Sequence, residues 1–403
     1  MCFAGLFLAL QVFAANPGTE GGMRILDESS RREFADFYRQ SLQENGVVGS
    51  SFLLVHDNAI VTQEFYGLSD LEKRQPVDSE TIFHWASITK TFTGIAIMQL
   101  RDRGLLGLDD PIVKYLPELR QVHDAYGDIS DITIRQLMSH SSGFRDPTWP
   151  WREHDWQPFE PARWEQLVAM FPYTEILFKP GSRYGYSNLG VIFLGRVIEQ
   201  LSGDPFQSYI DKNILKPLQM YQTYFDRTPY HLIRHRSHGY YIKDAHLSES
   251  IFDVNTGITV SNGGLNSPMS DMAKYMAFLI GQATDARTRE TYNGILKRST
   301  LEEMFGPQIK IESPDFSQGE PNRRDWVGLS FFVEESSGRR LICHSGSQNG
   351  FHSHLYLDPK SKTAYLVAFN TDAEATENDH RDTRRLDLTL KQHVLKGLFK
   401  SFD

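Results

Sequence analysis

Three short segments of this 403-residue chain carry side chains that could do acyl chemistry. The first is His84-Trp85-Ala86-Ser87-Ile88-Thr89-Lys90-Thr91, a serine followed three residues later by a lysine where an apolar helical pattern begins. One helical turn puts residues i and i+3 on the same face. A serine hydroxyl is a poor nucleophile until a base takes its proton. A lysine held in an apolar wall has reason to give up its charge and accept that proton. The start of the helix also offers backbone N–H groups to a developing oxyanion. Taken alone, Ser-x-x-Lys is common by chance and more often describes a solvated helix face.

The second segment is FKPGSRYGYSNLG, residues 178–190, in which Tyr186, Ser187 and Asn188 follow a Pro-Gly turn and precede a helix. In an extended stretch, side chains two apart point the same way, so Tyr186 and Asn188 could face one cleft. A tyrosine held near a cation can alternate between phenolate base and phenol acid. The plain alternative is a core tyrosine beside a helix-capping asparagine. The third segment is RRLICHSGS, residues 339–347, with β-branched and aromatic neighbours. Strand alternation puts His344 on one face and Cys343 and Ser345 on the other. Gly346 would let a substrate backbone approach closely. By itself, His344 also fits a half-buried strand histidine.

The elements that must hold these groups can be read from periodicity. Residues 24–44 have helical spacing, and SFLLVHDNAIVTQEFYG reads as two strands joined at Asp57-Asn58. A buried helix is predicted from Ile88 to Arg103, stopped by Gly104. Further helices are expected around 133–140, 161–170 and 189–202, and over 268–282 with Ser270 as N-cap. WVGLSFFVEE, RRLICHSGS, FHSHLYLDP and KTAYLVAFN form an antiparallel meander, closed by a helix over about 382–401. Strands at both ends and helices between them suggest one αβ body with a mostly helical insertion.

Composition narrows the function classes. The chain is 40% hydrophobic and 23% charged, enough for a sizeable core. A net charge of −9 with no long basic run disfavours nucleic acid and anionic membrane as partners. The first fifteen residues, MCFAGLFLALQVFAA, are almost wholly apolar, end in Ala14-Ala15 and stop at Pro17. They read as a signal peptide over 1–15, although no Lys or Arg precedes the apolar run. The expectation is a secreted or periplasmic protein with no stable membrane insertion after cleavage. Of the two cysteines, Cys2 lies in that segment, so Cys343 would have no internal disulfide partner.

In their order and spacing, Ser87–Lys90, Tyr186–Asn188 and His344–Gly346 resemble the S-x-x-K, Y-x-N and K-T-G/H-x-G motifs of the serine β-lactamase and penicillin-binding-protein superfamily. The likeness is nearest its class C β-lactamase-like branch, which includes esterases and D-amino-acid peptidases. It covers most of the chain, with family-like segments at GLLGLDDPIVKYLP (104–117), ITIRQLMSHSSG (132–143) and SNGGLNSPMSDMAKY (261–275). The resemblance implies an α+β fold, with a central antiparallel sheet flanked by helices and a helical subdomain. It implies a single catalytic domain over 24–403, with the αβ body at about 24–86 and 215–403 and the subdomain at about 87–214.

By resemblance, Ser87 forms an acyl-enzyme, Lys90 and Tyr186 move the protons, and Asn188 orients Lys90 or binds a substrate amide. His344, Ser345, Gly346 and Ser347 line the substrate, with the N–H groups of Ser87 and Ser347 as oxyanion hole. Related β-lactamases keep a lysine where this chain has His344, which removes a fixed charge for a substrate carboxylate. An esterase or D-amino-acid peptidase is therefore expected, acting on a small molecule or peptide without cofactor or metal. A D,D-carboxypeptidase or β-lactamase is the alternative, and a non-turnover penicillin-binding sensor or scaffold the alternative of another class.

Other conspicuous residues are less directive. Trp149, Trp151, Trp156 and Trp164 fall in FRDPTWPWREHDWQPFEPARW, which reads either as an acyl pocket or lid, or as a surface loop pinned by its aromatics. His231, His235 and His238 have helical spacing but no acidic or cysteine partner at ligand spacing, so a solvated face is expected. His352 and His354 share a strand face and are expected near the cleft rim.

Overall fold

The computed structural model describes residues 26–149, 161–253, 255–281, 285–312, 323–336 and 338–402. The expected signal segment, Trp151 and Trp156 lie outside the described residues. Among those described, no helix is long and apolar enough to cross a membrane.

The helices are α1 (Glu28–Glu44), α2 (Thr89–Asp102), α3 (Ile134–Met138), α4 (Trp164–Val168), α5 (Asn188–Ser202), α6 (Phe206–Ile210), α7 (Val260–Gly263), α8 (Met269–Ile280), α9 (Ala286–Ile295), α10 (Arg298–Met304) and α11 (Thr383–Lys396). The strands are β1 (Gly49–His56), β2 (Ala59–Asp70), β3 (Gln75–Pro76), β4 (Ile82–His84), β5 (Tyr224–Phe225), β6 (Tyr240–Lys243), β7 (His246–Glu249), β8 (Leu265–Pro268), β9 (Ile309–Ile311), β10 (Arg324–Val327), β11 (Phe332–Ser336), β12 (Arg339–Gln348), β13 (Phe351–Asp358), β14 (Thr363–Phe369) and β15 (Thr371–Ala373). Nine strands form an antiparallel sheet in the order β3-β2-β1-β14-β13-β12-β11-β10-β9. The N-terminal hairpin therefore joins the C-terminal meander through β1 and β14, paired from Ser50↔Phe369 to His56↔Thr363. Two three-stranded sheets, β15-β6-β7 and β4-β8-β5, complete the α+β fold.

Both faces of the large sheet are covered, which is why its central strands are apolar without alternation. Phe52 and Leu54 of β1, with Tyr365 and Val367 of β14, pack with Phe34, Tyr38, Leu390 and Val394 of α1 and α11. Leu53, Val55, Leu366 and Ala368 face the other way, into a core shared with Phe92 of α2, Ile192 of α5 and Met272 of α8. That second core is continuous from the sheet into the helices between Ser87 and Leu215.

Several boundaries differ from the sequence reading. Pro268, not Ser270, occupies the N-cap of α8, because β8 runs straight into the helix and leaves no turn for a capping side chain. WVGLSFFVEE is two strands, broken by a tight turn in which Ser330 takes φ +62°. The last helix ends at Lys396, and Gly397 leads into a 3₁₀ turn over Leu398–Phe402.

On the α11 face, Lys391 is fully buried and its Nζ donates to Glu334 Oε1 at 2.5 Å, while Arg323 lies 3.2 Å from the same carboxylate. Removing one partner of a buried pair leaves the other charge uncompensated. Lys391→Met is expected to lower unfolding free energy by about 3 kcal/mol, read from urea denaturation. A loss below about 1 kcal/mol, the scale of a surface pair, would contradict this account of the α11 face.

Candidate active site

Ser87 stands on a sharp corner between β4 and α2. Strand β4 pairs with β8, and the next residue, Trp85, is fixed by Trp85 N–H to Leu265 O and Nε1–H to Ser267 O, both 2.9 Å. Ala86 then adopts φ +46°, a left-handed conformation that costs a non-glycine residue roughly 1–3 kcal/mol. The bend turns the strand into a 3₁₀ turn and leaves Ser87 partly exposed between buried Ala86 and Ile88. Helix α2 is buried from Thr89 to Leu100. Its threonines find partners inside: Thr89 Oγ1 donates to Ala86 O at 2.6 Å, Thr93 Oγ1 donates to Ser261 O at 2.7 Å, and Thr91 Oγ1 accepts from Tyr275 OH at 2.8 Å.

Lys90 lies one turn from Ser87 and is 0% exposed. Its Nζ is 2.9 Å from Ser87 Oγ and donates to Asn262 O at 2.7 Å. Among the described residues no carboxylate comes within ion-pair distance of it. Burial pulls its pKa down to about 7, against a weaker opposing pull from Asp146. A substantial fraction of Lys90 is therefore a neutral amine at neutral pH, able to accept the Ser87 proton.

Tyr186 reaches the same oxygen from the other side, its OH donating to Ser87 Oγ at 3.0 Å. Burial pushes this phenol well above its ordinary pKa, so it rests protonated and can donate a proton. Lys90 Nζ lies 5.2 Å from the Tyr186 ring centroid. Ser187 is the N-cap of α5, accepting from Gly190 N–H at 2.9 Å and donating to Arg145 O at 2.8 Å.

His140 holds Tyr186 from both sides, a role that the sequence reading did not assign. Its carbonyl accepts Gly185 N–H at 2.8 Å, its Nδ1 accepts Ser187 N–H at 3.2 Å, and its ring lies 4.4 Å from the Tyr186 ring. His140 is buried at φ +50°, and burial beside Lys90 and His344 keeps it neutral. Its only sequence signal was its place in the family-like stretch 132–143.

Asn188 is the first residue of α5 rather than part of an extended face with Tyr186. Its Nδ2 donates to Asp146 Oδ1 at 2.9 Å, and its buried Oδ1 finds no hydrogen-bond partner among the described residues. The Lys90 amine is instead oriented by the Asn262 carbonyl, a backbone contact without a side-chain signature.

Strand β12 forms the opposite wall. His344 is buried, with its Nδ1 2.7 Å from Ser345 O and its ring edge-on to Phe332. Burial and the nearby Lys90 lower its pKa to about 3, so it is neutral. Gly346 also meets a packing need. A Cβ built there would sit 2.2 Å from Trp85 O and 3.1 Å from Ser87 N, so β12 packs directly on the serine corner. The Ser345 and Ser347 side chains are exposed, and Ser347 Oγ donates to Asp372 Oδ2 at 3.3 Å.

The remaining histidines and tryptophans have structural settings. His354 Nδ1 lies 2.6 Å from buried Asp387 of α11 and His352 Nε2 3.8 Å, which places both on the covered α11 face rather than at a cleft rim. His231, His235 and His238 do not share one helix. His235 meets Glu80, His238 meets Glu249 and Asp70, and no metal-holding cluster occurs among the described residues. Trp164 is a core residue edge-on to Phe171 and Phe193, and Trp149 is partly buried against the same core.

Residues 34–390 match the Beta-lactamase family. Protein flp of Staphylococcus aureus (strain MW2) is 26% identical over 349 residues, spanning 87% of this chain and 65% of that protein, so the chain covers less than two thirds of that relative. Penicillin-binding protein 4* of Bacillus subtilis (strain 168) is 24% identical over 92% of this chain and 77% of its own length. The octameric penicillin-binding protein homologue from Pyrococcus abyssi superimposes with a TM-score of 0.70 at 26% identity, covering 90% of this chain and 77% of that one. D-amino acid amidase from Ochrobactrum anthropi SV3 shares the fold, with a TM-score of 0.72 at 20% identity over 93% of this chain and 100% of that one. A match running from α1 into α11, around a corner that brings Ser87, Lys90 and Tyr186 together, establishes that this chain belongs to the Beta-lactamase family.

Proposed function

We propose that this protein is a serine acyl hydrolase, of esterase or D-amino-acid peptidase type, that forms an acyl-enzyme on Ser87. The supporting observation is a buried amine without a carboxylate partner among the described residues, 2.9 Å from a partly exposed serine oxygen that also meets a phenol at 3.0 Å. In the reaction, neutral Lys90 takes the Ser87 proton as Oγ bonds to the substrate carbonyl carbon. The carbonyl oxygen becomes an oxyanion beside the Ser87 and Ser347 N–H groups. Loss of one such donor typically costs about 2.7–4 kcal/mol of barrier. Tyr186 protonates the departing oxygen or nitrogen as its bond to carbon breaks, and the proton held by Lys90 then restores the phenol. Water next loses a proton to the same pair as its oxygen bonds to the acyl carbon, and Ser87 Oγ leaves with a proton. In line with its N-terminal apolar stretch, we propose that the protein is exported.

Purified wild type should hydrolyse a short-chain nitrophenyl ester, and Ser87→Ala should lower kcat by at least about 10³-fold. Equal activity in both would remove Ser87 from the chemistry. A single acyl adduct without turnover would identify a sensor instead.

Protonation of Lys90 removes the base, so kcat/KM should fall about tenfold per pH unit below its pKa of about 7 and level off above it. A flat profile from pH 5 to 9 would contradict a titrating lysine base.

His140→Phe keeps a ring against Tyr186 but loses the acceptor for Ser187 N–H. It should lower kcat about 10²-fold, as displacement of a reacting group does. His140→Asn, which tolerates a positive φ and offers an oxygen, should recover part of that loss. Equal kcat in both variants and wild type would deny His140 a positioning role.

A further inference from the structure

The end of β12 that carries Ser347 has less support from the sheet than the rest of that strand. Pairing with β11 stops at Phe332↔Cys343, so residues 344–348 pair with β13 alone among the described strands. Asn349 and Gly350 join β12 to β13 at φ +54° and +75°, a two-residue turn whose flanking Gln348 and Phe351 exchange backbone hydrogen bonds. Alternation then turns the Ser347 N–H away from β13, toward the edge that β11 leaves open. A free N–H there serves as an oxyanion donor only if the strand end stays fixed relative to Ser87.

His84, the last residue of β4, can supply that fastening. Gly346 and Gln348 share one face of β12, and Gln348 Oε1 lies 3.1 Å from His84 Nε2. His84 is 1% exposed, and burial, with Arg236 adding to it, lowers its pKa to about 4. The ring is therefore neutral at pH 7 and holds one proton. Asn266 Nδ2 donates to Asp226 O and Gly264 O, both at 3.2 Å, which turns its Oδ1 to His84 Nδ1 at 3.0 Å. A carbonyl oxygen only accepts, so Nδ1 holds the proton and Nε2 is a lone pair. A half-turn of the Gln348 carboxamide exchanges its oxygen and nitrogen ends and brings a donor to that lone pair. The carboxamide has room because residue 263 is glycine: a Cβ there would sit 2.9 Å from Gln348 Oε1. Gly263 follows Asn262, whose carbonyl holds the Lys90 amine.

We propose that His84 is a positioning residue: through Gln348 it pins the end of β12 to the strand that leads into the serine corner, and so holds the Ser347 N–H in place beside the Ser87 N–H. The inference rests on the hydrolase reading, in which these two groups receive the oxyanion. The test compares wild type with His84→Phe, Gln348→Leu, the double variant and His84→Gln, whose amide oxygen can still accept from Gln348. On a short-chain nitrophenyl ester, each of the first two should lower kcat about 10²-fold with KM within about twofold of wild type. The double variant should lose no more than the worse single one, because both break one link. His84→Gln should recover about tenfold of the loss. Unchanged kcat in Gln348→Leu, multiplied losses in the double variant, a loss carried by KM alone, or no recovery in His84→Gln would overturn the proposal. The rate of Ser87 labelling by a fluorophosphonate, whose phosphoryl oxygen meets the same donors, reads the link without turnover. Labelling about 10²-fold slower in Gln348→Leu, from a wild type that hydrolyses no ester, would refute the hydrolase reading and leave the positioning role standing. Equal labelling rates would overturn that role whatever the esterase result.

Discussion

The site depends on one electrostatic constraint, the burial of the Lys90 amine against Ser87 with no carboxylate among the described residues to pair with it. A lysine in water is an ammonium and cannot accept a proton at neutral pH. Enclosed by α2 and the Asn262 carbonyl, it is pulled toward neutrality, which is what the proposed base for Ser87 requires. Burial acts in the opposite sense on Tyr186, which it keeps protonated. One apolar enclosure thus favours an unprotonated amine and a protonated phenol on two groups that share a single oxygen.

The surrounding fold keeps that enclosure closed and the serine open. The left-handed Ala86 lifts Ser87 out of a buried run, while α2 continues inward with its threonine hydroxyls bonded to neighbouring elements. Gly346 lets β12 close against the corner at a distance no side chain would permit. The large sheet can supply this wall because helices cover both its faces, so β12 is held between β11 and β13 with His344 buried near Lys90. His140 completes the arrangement by fixing the backbone on either side of Tyr186.

The residues differ in how far sequence could place them. Ser87 and Lys90 are legible because a helical turn fixes their separation, whatever lies around them. Tyr186 is 99 positions away, and only the resemblance joined it to Ser87. Asn188 was expected to orient Lys90 or to bind a substrate amide; capping by Ser187 starts α5 there and directs its amide to Asp146, so the first of these passes to another group. The hold on Lys90 passes to a backbone carbonyl at Asn262, which any residue type could supply. The strands of the sheet were legible as apolar runs, but the break in WVGLSFFVEE was not, since it depends on Ser330 adopting a conformation that serine seldom takes. His352 and His354 alternate onto one face as the strand period requires. That α11 covers this face and supplies Asp387 is tertiary information.

The central claim is that Ser87 is a nucleophile activated by a titrating Lys90. The most direct measurement is the rate and position of labelling by a fluorophosphonate, read by intact-mass and peptide mass spectrometry across pH 5 to 9. The account predicts one adduct, on Ser87, forming at a rate that rises with pH and levels off above the Lys90 pKa of about 7, and not forming in Lys90→Met. An adduct on another residue, or a Ser87 labelling rate indifferent both to pH and to the loss of Lys90, would contradict it.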